Sequence, residues 1–141
     1  VGCTLEELAG IDVVRGVFDL HANASEWTSD GPPRGLPHCP APLGSAGTAP
    51  IAPDGSPTPG DAYGQARLCL SIIAGALAEA GASVEDVVRT RLFITDVADF
   101  EEVARAHGEV FSEIRPATTC VVTGLLDPTW KVEIEAEAVV G

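Results

Sequence analysis

Positive charge is scarce in this chain. Eight Lys and Arg stand against 21 Asp and Glu, so the formal net charge is −13 over 141 residues. The single lysine is Lys131, and no run of basic residues occurs. Nucleic-acid binding by phosphate neutralisation needs clustered Lys and Arg, so that class is excluded. An anionic membrane surface would repel the chain as well. Long hydrophobic runs are also missing. The most apolar stretch, Leu68 to Leu77, is broken by Ser71 and Gly75 and is too short for a bilayer. No charged start followed by an apolar run marks a signal peptide, and a cytoplasmic location is expected. The four cysteines, Cys3, Cys39, Cys69 and Cys120, show neither CxxC pairing nor zinc spacing. Reduced thiols and no bound metal are therefore expected. There is no Gly-rich phosphate loop and no Gly-x-Ser-x-Gly elbow, and no cofactor is expected. Methionine is absent and the sequence begins at Val1. Two readings stay open: a non-standard start codon read literally, or a missing upstream piece.

What is present fits a folded protein. The apolar fraction is 45%, and a chain of this length reads as one domain. Composition shifts near residue 60. Residues 31–60 hold nine of the eleven prolines and six glycines, which is loop chemistry with few places for a regular element. Beyond them the pattern turns regular. Asp61 to Ala80 predicts a helix capped by Asp61. Ala66, Leu70, Ile73, Leu77 and Ala80 form its apolar stripe, and Gly81 ends it. Ser83 to Asp86 resembles a capping box. Val87 to Thr95 predicts a strand with Val88, Thr90, Leu92 and Ile94 on the core side and Arg89, Arg91 and Phe93 on the other. The second face suits an interface or a pocket wall.

Asp96 then caps a helix through about Ile114, with Phe100, Val103, Val110, Phe111 and Ile114 as its buried stripe. Pro116 stops it, and Ala117 to Leu125 predicts a strand. Leu126 to Thr129 is a turn. Lys131 to Val139 is the last strand, with Val132, Ile134, Ala136 and Ala138 inward and Glu133, Glu135 and Glu137 outward. Helices on one face of such a sheet leave the other face half apolar. That face would be wet or covered by another subunit, so oligomerisation is expected.

Four stretches carry a resemblance. They are Gly44-Ser45-Ala46-Gly47-Thr48-Ala49-Pro50-Ile51 followed by Pro53-Asp54-Gly55; Asp61 to Gly81; Val87 to Asp96; and Arg115-Pro116-Ala117-Thr118-Thr119-Cys120-Val121 with Val132-Glu133-Ile134-Glu135-Ala136. In order and spacing they resemble the Rid family, also called YjgF and once called L-PSP endoribonucleases. The resemblance covers residues 44–141 and leaves residues 1–43 as an unmatched N-terminal segment. It implies an α+β, chorismate-mutase-like single domain: a mixed sheet with two helices on one face. It also implies a homotrimer with ligand clefts between subunits.

The chemistry implied is hydrolysis of small reactive enamines and imines, such as 2-aminoacrylate, to keto compounds and ammonia. By position, the resemblance makes Glu133 the water-positioning catalytic residue. Cys120 lines the cleft, and Gly47 supplies a backbone contact. The family's carboxylate-gripping Arg falls on Thr118, which offers one neutral hydroxyl in place of a bidentate cation. A substrate other than 2-aminoacrylate is therefore expected. Phe93 and Arg91 complete the candidate substrate-binding set. Arg115 is read as pointing away, being three residues ahead of Thr118 along a strand. The alternative is a non-catalytic small-molecule binder or regulator on the same fold.

Plainer readings stand beside these. Arg89 and Arg91 would pair with the Glu133, Glu135 and Glu137 row across the sheet or the subunit boundary. Cys120 and Cys69 would be inert packing. His107, beside Arg105 and Glu109, would be a surface residue. His21 and His38 show no metal spacing. Asn23-Ala24-Ser25 is a glycosylation sequon by pattern only. Val17 to Asp30 resembles a short piece of formylglycine-generating enzymes without the rest of that large domain. Residues 1–43 are expected to be loosely ordered or to form a degraded first hairpin.

Overall fold

The computed structural model describes residues 41–44 and 47–140. The expectations for residues 1–40, including His21, His38, Cys3, Cys39 and the Asn23 sequon, lie outside the described residues.

The elements run β1 (Ala41–Gly44), α1 (Ala62–Glu79), β2 (Val87–Ile94), α2 (Phe100–Phe111), β3 (Ala117–Val122) and β4 (Val132–Val140). They build one mixed sheet in the order β1-β4-β2-β3. β4 runs antiparallel to both β1 and β2, and β3 runs parallel to β2. The two parallel connections, β1 to β2 and β2 to β3, each need a crossover, and α1 and α2 supply them. Both helices pack on the same side. Cys69, Leu70, Ile73 and Leu77 of α1 and Val103, Ala106 and Phe111 of α2 join Leu92, Ile94, Val132, Ile134, Ala136 and Ala138 of the sheet in one core. β1 lies inside the proline-rich stretch, where few regular elements were expected. Pro42 cannot donate to a ladder, and an edge strand is where that is tolerated.

Local chemistry explains α1. Asp61 accepts from the Gly64 N–H at 2.6 Å, and the buried residues recur at helical spacing. At its end Ala82 N–H reaches the Leu77 carbonyl and Gly81 N–H the Ala78 carbonyl. That is a Schellman closure, and it places Gly81 at φ 78°, where only glycine sits without cost. Ser83 and Asp86 then form the expected capping box ahead of β2.

Three local expectations are corrected. Val88, expected on the core side, is 48% exposed. Val87 pairs with Ala138 and Arg89 with Glu137, so Val88 is an extra residue with no partner on β4. This bulge turns Val88 outward and leaves Val87 buried. Phe100, expected in the buried stripe of α2, is exposed at the helix start, while Ala106 is buried in the core. Arg115 precedes β3 rather than belonging to it. It has φ 54° and its N–H bonds to the Phe111 carbonyl, so strand alternation does not govern it.

Gln65 is buried and ties three segments together. Its Nε2 donates to the Pro59 and Thr129 carbonyls, at 2.9 and 3.0 Å, and its Oε1 accepts from the Lys131 N–H at 2.7 Å. Gln65→Leu would leave all three backbone groups without that partner. An expected loss of about 2–4 kcal/mol follows from stranding buried polar groups, and urea unfolding would measure it. Among the described residues no helix is long and apolar enough to cross a membrane.

Candidate functional site

The sheet face away from the helices carries the charged row. Cross-strand register sets Glu133 opposite Phe93 and Glu135 opposite Arg91. Val121 follows Phe93 on β3. Arg91 donates to Glu135 at 2.8 Å and to Glu137 at 3.2 Å. The expected pairing of Arg91 with the acidic row is thus present, and it involves Glu135 and Glu137. The neighbouring carboxylate of Glu135 holds the Arg91 guanidinium more firmly charged than usual.

Glu133 differs from the other two acids. It is half-buried, and no basic group is bonded to it among the described contacts. Burial, and secondarily the Glu135 charge, push its carboxyl above the ordinary range. Gly47 explains part of that burial. Thr48 exchanges both backbone hydrogen bonds with Ile134, at 2.8 and 3.1 Å, and so presses Gly47 against β4 beside Glu133. A Cβ on Gly47 would land on Glu133 Oε1 and stand 2.8 Å from its Cδ. The position is closed to every other residue unless the carboxylate moves.

Thr118 and Cys120 sit elsewhere. Thr118 is opposite Thr90 and Cys120 opposite Leu92. Both therefore belong to the helix side of the sheet, at its β3 edge. Cys120 packs against the core, and burial raises its thiol pKa, which disfavours the thiolate. Cys69 is fully buried and its thiol is pushed up by burial and, less, by the Glu133 charge. Within one chain, then, Glu133, Gly47, Phe93 and Arg91 share the outer face, while Thr118 and Cys120 share the opposite one.

Two residues of this second group, Thr90 and His107, were read in the sequence as a core-side and a surface residue and not as part of the site. Thr90 Oγ1 lies 2.9 Å from Thr118 Oγ1 and 2.9 Å from His107 Nε2. His107 is not the surface residue expected. Burial lowers its pKa and so favours the neutral ring, which packs on Phe111 with centroids 4.7 Å apart. The signal was available: His107 lies four residues after Val103 and four before Phe111, on the buried stripe. Among the described residues no group of three or more His, Cys, Asp or Glu could hold a metal ion.

The family model described as Endoribonuclease L-PSP matches residues 42–140. The chain belongs to this family. Relatives named in Rid terms agree with that. TdcF of Escherichia coli, by name a reactive intermediate deaminase, is 35% identical over 98 residues, or 67% of this chain and 76% of TdcF. The crystal structure of TdcF with bound serine overlays with a TM-score of 0.67 at 33% identity, covering 72% of this chain and 82% of that one. RutC of Acinetobacter baylyi, named as a 3-aminoacrylate deaminase, is 39% identical over 79 residues, 56% of this chain and 63% of RutC. An uncharacterized Streptomyces coelicolor protein is 40% identical over 80 residues, and the match spans 56% of this chain and 60% of that protein. The expected L-PSP fold is therefore the observed one, an α+β domain with a mixed sheet and two helices on one face.

Proposed function

We propose that this L-PSP family chain hydrolyses a small reactive enamine or imine, in clefts formed between the subunits of a cytoplasmic homotrimer. The observation that carries the reading is the Glu133 carboxyl, half-buried against Gly47 and raised in pKa beside the Phe93 ring. A carboxylate so placed can take a proton from water. The oxygen then attacks the C=N carbon. Return of that proton from Glu133 to nitrogen gives the carbinolamine, and its collapse moves the hydroxyl proton to nitrogen as well, releasing ammonia and leaving C=O; an enamine enters as its imine tautomer. Atoms balance with water as the only co-reactant, and no cofactor enters.

The subunit arrangement is supported by the two-faced layout. Thr118 and Cys120 can join Glu133 in one cleft only when a second copy brings its β3 edge against the first copy's outer face. The edge carries exposed Val121 and Val122, which gain from being covered. The names of TdcF and RutC support the reaction class, since both are called deaminases.

The substrate is proposed to differ from 2-aminoacrylate because Thr118 stands where the resemblance calls for a carboxylate-binding Arg. A bidentate Arg offers two charge-assisted bonds of roughly 1.5–3 kcal/mol each, and a threonine offers neither. Ammonia release from a panel of imines generated in situ tests the reaction. Thr118→Arg is expected to raise kcat/KM for 2-iminopropanoate by about 10²-fold or more. A second reading, a non-catalytic binder, is favoured by the internal hydrogen bonds of the Thr118 hydroxyl. Absence of ammonia release from every imine, with and without Thr118→Arg, would select it.

A further inference from the structure

We infer that Thr118 presents a hydrogen-bond acceptor and no free proton, so that this position selects a ligand group bearing N–H or O–H, such as a carboxamide, over a carboxylate. The inference rests on the cleft reading above and names the ligand chemistry of that cleft.

The protons of three side chains decide the matter. Thr118 Oγ1 donates to the Pro116 carbonyl at 3.0 Å. That uses its one proton. The contact with Thr90 Oγ1 at 2.9 Å then needs the Thr90 proton, so Thr90 donates to Thr118. The Thr90 oxygen is left as an acceptor facing His107 Nε2, also at 2.9 Å. That contact in turn needs the ring proton on Nε2. Three protons thus serve three contacts in one direction: His107 to Thr90, Thr90 to Thr118, Thr118 to Pro116. In the opposite direction Thr90 would donate to His107 and Thr118 to Thr90. The Pro116 carbonyl would then face a bare oxygen lone pair at 3.0 Å. The first arrangement satisfies one contact more.

Thr90 is buried at the middle of this chain of hydroxyls, so water does not replace its partners. Thr118 is the exposed end. What remains to a ligand is the second lone pair of the Thr118 oxygen. An amide N–H or a hydroxyl meets it as donor to acceptor. A carboxylate oxygen meets it as acceptor to acceptor, and gains a bond only by breaking the one to Pro116. Arg91 does not offset this, since Glu135 and Glu137 already hold its guanidinium. His107 acts here as a positioning residue, through Thr90.

Two measurements on the full chain test the inference. Long-range proton–nitrogen correlation at neutral pH is expected to show His107 with its proton on Nε2. A proton on Nδ1 would turn the Thr118 proton toward Thr90 and overturn the direction of this relay and the positioning role of His107. The second measurement titrates pyruvamide and pyruvate into the protein, followed by NMR shifts. Pyruvamide is expected to bind at least about tenfold more tightly, and Thr118→Val, at an exposed position of similar shape, is expected to erase that preference. Equal or tighter binding of pyruvate, a preference that survives Thr118→Val, or binding of neither compound would each overturn it. A protein that prefers pyruvamide but hydrolyses no imine overturns the deaminase reading alone. One that hydrolyses imino acids and prefers pyruvate overturns this inference alone.

Discussion

Glu133→Gln is expected to abolish imine hydrolysis while the protein remains folded and slightly more stable at neutral pH. Removing a positioned general base costs typically about 10²–10⁴-fold in rate, and the three atoms nearest a Cβ built on Gly47 all belong to Glu133. Stability should move the other way for a physical reason. Burial and the Glu135 charge raise the folded-state pKa of Glu133 above its unfolded value. The folded protein then binds a proton more readily than the unfolded chain, and stability falls as pH rises through the window between the two values. At pH 7 the ionised Glu133 is a net burden that Gln removes. The same shift sets the acid limb of activity. Turnover should fall as pH drops through a value above the ordinary glutamate range, and that limb should be absent in any residual activity of Glu133→Gln. Ammonia release against pH, with thermal melts of both proteins, checks all three outcomes. Undiminished turnover in the variant would remove Glu133 from the mechanism.

The second large effect is expected from Gly47→Ala, a change of one methyl group. The new Cβ would occupy the place of Glu133 Oε1. The backbone there is pinned by the paired Thr48 and Ile134 hydrogen bonds, whereas the end of a glutamate side chain is free to rotate. The carboxylate should therefore swing away, and the fold should hold. Activity is expected to drop to the level of Glu133→Gln, with a stability loss of about 1 kcal/mol or less, at the low end of overpacking costs. A double-mutant cycle makes this sharp. With Glu133→Ala already present there is no carboxylate to displace, so Gly47→Ala should then change neither activity nor melting temperature. Additive losses would show that Gly47 acts on something other than Glu133.

The elements that could be read from the sequence are those specified by neighbours along the chain. Asp61, the apolar stripe of α1 and Gly81 lie within one helix and its caps, so spacing alone reveals them. The alternation of β4 from Val132 to Ala138 is likewise complete in itself, and the burial pattern follows it residue by residue. The outward turn of Val88 is not legible along the chain, because a bulge is a property of two strands. Nothing in the order Val87-Val88-Arg89 shows that β4 offers partners to the first and third residues only. The partial burial of His107 is hidden for a different reason. Its neighbours Arg105 and Glu109 are exposed and polar, while its burial is set by Val103 and Phe111 one turn away on either side.

The candidate site divides along the same line. Composition argued against a nucleic-acid partner, and alternation located the acidic row of Glu133, Glu135 and Glu137 and put Arg91 and Phe93 on one face of their strand, while the family resemblance pointed to Gly47, Thr118 and Cys120. Which of these meet was decided by tertiary structure. Alternation assigns a side chain to one of two faces within its own strand. Only the register between strands says which faces coincide, and register is built from hydrogen bonds between residues tens of positions apart. Those bonds seat Glu133 on Gly47, give Arg91 to Glu135 and Glu137, and join Thr118 to His107 through Thr90, on the opposite side of the sheet.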